Sequence, residues 1–321
     1  MKNLLKILFV SSLGILLVLP THVFAENAWP RVHTNPDGSK TTIQAPPKRI
    51  LSTAVSITGT LLAIGAPVVA SATDYNGNFF GQWRHVAQEN KVQKLWSIAE
   101  VDLEAAYSVR PDLIIIAVGG RDTAAQHRAV LEKIAPTITV DYASQSWQSL
   151  ARIMGQATGL ENQAEDKIAE FEQHLNAAKA KLRLPEGKVN LIGYNGPGMV
   201  NPIATATGSH GSLLTALGFD VERPNKQWHG ALDNPDDFVK AEYERLTELK
   251  AETTFLVRTD EDGARLFKQD KVLANLASVK NNQVYGLGKN SFRIDFYSSM
   301  EIIDDMLKRF ASPNNSQEHL K

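Results

Sequence analysis

Short runs of apolar, largely β-branched residues recur along the chain, each bounded by polar or turn-forming positions. They are Arg49-Ile50-Leu51-Ser52, Leu113 to Val118, Ile138-Thr139-Val140, Val189 to Tyr194, Thr254 to Val257 and Gln283-Val284-Tyr285. Runs of this length are strand signals, and the segments between them carry apolar residues at helical spacing. Strand alternating with helix, over connections long enough for crossovers, predicts an α/β fold with mainly parallel sheets covered on both faces.

The clearest helical pattern separates the first three runs from the last three. From about Gln148 to Leu182, Ala, Glu, Lys and Gln surround Ile168, Phe171, Leu175 and Ala178, with an interruption at Gly159 and a stop at Pro185-Glu186-Gly187. Its heptads are too few for a coiled coil, so it reads as a rigid strut between two lobes. The lobes also share a segment: Glu104 to Ile116 and Glu244 to Leu256 each open with a Glu, pass through a short helix, and place an acid before the strand at the same spacing. Generic α/β grammar also produces such matches. The expected division is a leader (1–25), an N-terminal lobe (26–147), a single long interlobe helix (148–184), a C-terminal lobe (185–311) and a polar tail (312–321).

Composition adds a compartment. Lys2 and Lys6 precede an apolar run from Ile7 to Leu19, then Pro20 and Val23-Phe24-Ala25. This pattern predicts a signal peptide cleaved after Ala25. The chain has no cysteine, which excludes disulfides, thiolate metal sites, a cysteine nucleophile and a lipid-anchored cysteine. The expected product is therefore exported and unanchored, in a periplasm between two membranes. Removing Lys2 and Lys6 from 34 basic and 35 acidic side chains leaves a net charge of about −3, without the basic excess that nucleic-acid binding requires.

In open parallel sheets, ligands sit beyond the carboxyl ends of the strands. There the chain is basic and aromatic: Arg121 after Gly119-Gly120, Tyr194 after Val189 to Gly193, Arg258 after Val257, and Arg293 downstream of Tyr285. Guanidinium groups converging on one cleft suit an oxygen-rich anion, although each arginine taken singly equally suits a surface ion pair. Trp228-His229 adds an aromatic wall and an imidazole, and Gly208-Ser209-His210-Gly211 a second histidine. No metalloprotease helix, nucleophile elbow or phosphate loop is present, which leaves an exported hydrolase as the alternative class.

The leader, the Pro-Pro-Lys-Arg-Ile-Leu-Ser first strand, the Glu to Pro-Asp-Leu-Ile-Ile-Ile segment and the interlobe helix together resemble the periplasmic binding proteins of iron-siderophore and cobalamin importers. Within them the catecholate-siderophore binders are nearest, through Ser52 to Ile64, Lys133 to Thr137, Ser146 to Leu150 and Phe292 to Met300. The resemblance implies a class III periplasmic binding protein, monomeric, with little hinge motion, no catalysis and no intrinsic cofactor. Ferric iron would be carried as a siderophore complex, enterobactin-like or its linear fragments, to an inner-membrane ABC permease. Glu104 and Glu244 match the acids that dock on permease arginines, although acids at helix starts also favour the helix dipole without any partner. Arg121 and Arg258 match ligand-binding cations, with Arg293 a further contribution, and His210 stands at another family arginine. His229 resembles a histidine that coordinates siderophore-bound iron, with Tyr297 the candidate companion. Hydroxamate siderophore, haem and cobalamin are the alternative ligands on the same architecture.

Overall fold

The computed structural model describes residues 28–98, 100–231 and 234–311. The leader and the tail expected from the sequence lie outside the described residues. No described helix is long and apolar enough to cross a membrane.

The first sheet contains β3 (Ile50–Ser52), β4 (Val68–Thr73), β5 (Gln93–Ser97), β6 (Leu113–Ala117) and β7 (Thr137–Val140), in the order β5-β4-β3-β6-β7 and parallel throughout. Its central strands β3 and β6 are buried along their whole length. That is why they read as unbroken apolar runs rather than alternating ones. The N-terminal hairpin, β1 (Arg31–Thr34) and β2 (Lys40–Ile43), lies along the edge strand β7 and satisfies it with side chains. Asn35 Oδ1 accepts the Thr139 N–H at 2.7 Å, His33 Nε2 donates to the Thr139 carbonyl at 3.2 Å, and the Thr41 hydroxyl donates to the Thr137 carbonyl at 2.8 Å. An edge capped this way offers no ladder to another chain.

The second sheet is mixed. It contains β8 (Lys188–Ile192), β9 (Val200–Ala204), β10 (Asp220–Val221), β11 (Phe238–Glu242), β12 (Thr253–Leu256) and β13 (Val284–Gly286), ordered β11-β9-β8-β12-β13 with β10 beside β8. Strands β8, β10, β12 and β13 are parallel, whereas β9 runs antiparallel to both β8 and β11.

Helices α1 (Val55–Ala63), α2 (Arg84–Glu89), α3 (Leu103–Ser108) and α4 (Arg128–Leu131) serve the first sheet; α7 (Ser209–Leu217), α8 (Glu261–Gln269) and α9 (Ala277–Lys280) serve the second. Between them the strut expected from Gln148 to Leu182 is two helices, α5 (Trp147–Thr158) and α6 (Glu161–Lys179). Gly159 ends α5 with φ +77°, a left-handed conformation, and Trp29 lies 3.2 Å from where a Cβ would stand. Only glycine turns the chain there without strain. Helix α5 packs on α1 and β1, so α6 makes the crossing.

A second element fastens the lobes. Helix α10 (Phe296–Phe310) starts with a capping box between Asp295 and Ser298 and packs on both α6 and α1. Trp147 stacks edge-on against Phe171 at 5.3 Å and Phe296 at 5.7 Å. One apolar cluster therefore runs from Ile115 and Trp147 through Phe171 to Phe255 and Ile303. Hinge opening would have to expose this cluster, at roughly 25 cal/mol per Å² of apolar surface, which opposes a large change in the angle between the lobes.

Candidate ligand cleft

Four strand exits meet at the seam between the sheets. After β3, the chain turns into α1 and the Ser56 N–H donates to Asp122 Oδ2 at 3.0 Å. Asp122, two residues beyond Gly120, is buried, and its Oδ1 accepts the Tyr142 hydroxyl at 2.7 Å. Gly120 has φ +92°, and a Cβ there would stand 2.1 Å from the Tyr142 hydroxyl, so the loop after β6 needs glycine to let that ring in. Burial, then the neighbouring Asp122 carboxylate, push the Tyr142 phenol up to about 12. It is a neutral donor at any physiological pH.

From the other lobe, Arg293 closes the seam. Its guanidinium lies 4.2 Å over the Tyr142 ring and donates to the Tyr142 carbonyl at 2.6 Å. Burial lowers its pKa, while Tyr142, Asp237, Asp122 and Asp295 act in the opposite direction. Arg293, expected to face a ligand, is partly exposed and already engaged between the lobes. Gln82 makes a second link, its Nε2 donating to Asp295 Oδ2 at 3.1 Å.

The other two expected arginines are exposed on the rim. Arg121 makes no ion pair among the described residues. Arg258 donates from Nη2 to Asn195 Oδ1 at 2.9 Å and lies 5.2 Å over the Phe292 ring, itself exposed. Most of the guanidinium donors of both therefore face solvent.

Several expected contacts are placed elsewhere. Tyr194 turns away from the seam onto Phe267, and its hydroxyl donates to Asp270 Oδ2 at 2.5 Å, where the Tyr243 hydroxyl also donates at 2.6 Å. Burial opposes ionisation of Asp270, yet the hydrogen bonds from Tyr194 and Tyr243 and from two backbone amides hold its pKa below the ordinary value. His210 is 3% exposed, its Nε2–H donating to the Ser291 carbonyl at 2.6 Å and its ring edge-on to Phe238. It lies beneath the surface because the Ser-His-Gly stretch starts helix α7 instead of forming a loop. Trp228 is half-buried on the second sheet's core.

For His229, the Lys240 N–H donates to Nδ1 at 3.2 Å, which leaves the neutral ring's proton on Nε2, and Nε2 is itself buried. Direct ligation of iron by His229, as expected from the sequence, therefore requires the ring to leave Lys240. Tyr297, the expected companion, is edge-on to His85 and Phe296 on the α10 face, and burial raises its pKa strongly. Among the described residues no three His, Cys, Asp or Glu side chains gather to hold a metal ion. A cavity of about 330 Å³ does lie between the N-terminal hairpin and α5, lined by Arg31, His33, Gln145 and Gln156, on the β7 side of the first lobe and not at the seam.

Sequence reasoning missed Asp122, Tyr142, Ser291 and Phe292. Tyr142 stands two residues beyond β7 and Asp122 beside Arg121, so the strand-end rule that found the arginines reaches both of them.

Glu104 and Glu244 are exposed and each stands in the first turn of a helical segment, α3 and the 3-10 helix Tyr243–Glu248. Each of those segments follows the carboxyl end of a strand, β5 in one lobe and β11 in the other. Both acids thus lie toward the face on which the seam opens.

Two lobes fastened to each other, with strand ends meeting at a seam and cations on its rim, form the architecture of a binding protein. The chain belongs to the periplasmic binding protein family, whose model matches residues 50–291. It is 37% identical over 292 residues to the ferric enterobactin-binding periplasmic protein FepB of Escherichia coli, spanning 88% of this chain and 91% of that protein. The crystal structure of holo-ViuP superposes with a TM-score of 0.86 at 50% identity, covering 89% of this chain and 97% of that one. The catecholate-siderophore binding protein VctP of Vibrio cholerae, 20% identical, shares the fold at a TM-score of 0.63 over 87% of this chain and 100% of its own.

Proposed function

We propose that this chain is the periplasmic substrate-binding component of an ABC importer, that it captures a ferric catecholate siderophore at the seam, and that it hands the complex to an inner-membrane permease. The observation that carries the reading is the pair of exposed guanidinium groups, Arg121 from one lobe and Arg258 from the other, on the rim of a seam that already neutralises its own internal charges. Catecholate oxygens around ferric iron carry a formal charge of about −3, for which two under-engaged guanidinium groups in a partly desolvated cleft are apt partners. The likeness to FepB supports the same ligand class. Iron enters as part of the cargo; the protein contributes hydrogen-bond donors, charge and the exposed Phe292 ring, against which a catechol ring packs.

The resistance of this joint to opening bears on delivery. A binding protein that does not close must signal its loaded state through the surface that ligand and permease share. Glu104 and Glu244, on that surface and one on each lobe, are suited to two arginine clusters of a permease with two-fold symmetry. The chain acts as a monomer without a lipid anchor in this reading.

The test is a tryptophan-fluorescence titration of the chain from Glu26 with ferric enterobactin, a ferric bis-catecholate and a ferric hydroxamate. Quenching by the catecholates alone at sub-micromolar concentration is expected. Quenching by the hydroxamate alone, or by none of the three, would refute the ligand class.

A further inference from the structure

Among the described residues, four that are not glycine have positive φ: Lys91, Arg110, Asn282 and Arg258. Lys91, Arg110 and Asn282 each stand two residues past the end of a helix, at α2, α3 and α9, where a left-handed residue is the ordinary way to stop. Arg258, at φ +66°, instead follows strand β12. A left-handed arginine at a strand end is strained unless neighbouring groups hold it.

What holds it is a small buried assembly. The Arg258 N–H donates to Ser291 Oγ at 2.8 Å, and the Ser291 hydroxyl donates onward to the Gly288 carbonyl at 2.7 Å. Ser291 is 2% exposed, and its own carbonyl accepts the Nε2–H of His210, which wedges against Phe238. The next residue, Phe292, supplies the face under the Arg258 guanidinium, and Asn195 accepts one of its edges. We infer that Ser291, buttressed by His210, is the positioning residue that turns the Arg258 backbone and so presents its guanidinium for anion capture.

The inference rests on the ligand class proposed above and deepens it. His210 contributes from beneath the surface, by holding the Ser291 carbonyl, and does not itself reach the ligand. Without the Ser291 hydroxyl, the Arg258 amide loses its acceptor, the backbone relaxes to negative φ, and the guanidinium leaves Phe292 and Asn195.

A double-mutant cycle tests this. Affinity for ferric enterobactin is measured by tryptophan quenching for the wild type, Ser291→Ala, Arg258→Gln and the double variant, with thermal melts of each. Ser291→Ala alone is expected to weaken binding about tenfold, and to add less than about twofold when Arg258 is already glutamine. Ser291→Thr, which keeps the hydroxyl, is expected to recover most of the affinity. A loss that persists undiminished in the Arg258→Gln background, or wild-type affinity in Ser291→Ala, would overturn the positioning role. Should Ser291→Ala fail to fold, His210→Phe, which removes the donor and keeps the bulk, takes its place in the cycle: a loss that vanishes in the Arg258→Gln background supports the positioning role, and one that persists there overturns it. A wild-type protein that binds no ferric catecholate would overturn the ligand class and this inference together, whereas failure of the cycle alone overturns only the inference.

Discussion

Replacing Arg293 by methionine separates a lobe fastener from a ligand contact. Methionine keeps most of the stem and removes three things: the charge-assisted hydrogen bond to the Tyr142 carbonyl, the stacking on the Tyr142 ring, and the countercharge to Asp122, Asp237 and Asp295. The hydrogen bond contributes about 1.5–3 kcal/mol and the stacking about 1–2 kcal/mol, offset in part because methionine has no guanidinium to desolvate. A net destabilisation of about 2 kcal/mol at pH 8 follows from these contributions. The acids give that figure a pH dependence. Burial raises the Asp295 pKa, and Arg293 pulls it back down; removing Arg293 raises it further. An acid whose folded pKa exceeds its unfolded value near 4 stabilises the fold fully below that value and loses the contribution as pH rises through the folded pKa. The variant should therefore be closer to wild type at about pH 4.5 than at pH 8. Equilibrium urea unfolding followed by tryptophan fluorescence at both pH values measures the difference, and siderophore titration of the folded variant measures affinity. Unchanged stability combined with a hundredfold loss of affinity would refute the reasoning and return Arg293 to the ligand.

Gly120→Ala should cost about 2 kcal/mol through its left-handed φ and displace Tyr142, since the new Cβ would stand 2.1 Å from that hydroxyl; a melt within about 1 °C of wild type would contradict this. Asp270→Asn should cost about 1 kcal/mol at pH 7, a small figure because the amide oxygen still accepts from the Tyr194 and Tyr243 hydroxyls. The depressed Asp270 pKa makes its contribution complete above the unfolded value and lost as pH falls, so wild type and variant should converge below about pH 3 in urea titrations. Glu104→Ala and Glu244→Ala, at exposed positions, should leave siderophore affinity and melting temperature unchanged and each reduce uptake in an importer-dependent growth assay. Normal uptake by the double variant would remove both acids from permease docking.

The strands that announced themselves in the sequence are the ones whose physics is local. Strands β3, β6, β8 and β12 sit inside their sheets and are buried along nearly their whole length, which favours unbroken runs, whereas β7 and β13 end their sheets and were legible from their β-branched and aromatic residues. Strand β9 was not legible because Pro202 lies in its middle, which argues against a strand. The structure accommodates it because β9 touches β8 at a single register pair, Ile192 with Ile203, and pairs mainly with β11. Strand β4, Val-Val-Ala-Ser-Ala-Thr, is buried yet built from small residues, so it lacks the Ile and Leu content that marks a core strand. The hairpin over β7 makes its key contacts through Asn35, His33 and Thr41, polar residues whose partners lie about a hundred positions away. No periodicity encodes that.

For the site, strand-end reasoning locates a backbone and leaves the side chain's direction open. Tyr194 and Arg258 show the difference, each standing two residues past its strand, β8 and β12. Tyr194 turns its ring onto Phe267, where Asp270 takes its hydroxyl, and is lost to the seam. Arg258 would be expected to share that fate, since its stem is as apolar as much of the core beside it. What redirects it is a positive φ, and nothing in Leu-Val-Arg-Thr announces one, because arginine is poorly suited to that conformation. The cause lies 33 residues downstream in a serine that sequence reasoning had no ground to single out. Direction at a binding site is thus set by the layer beneath it, which is why the cations could be found from the sequence and the groups that aim them could not.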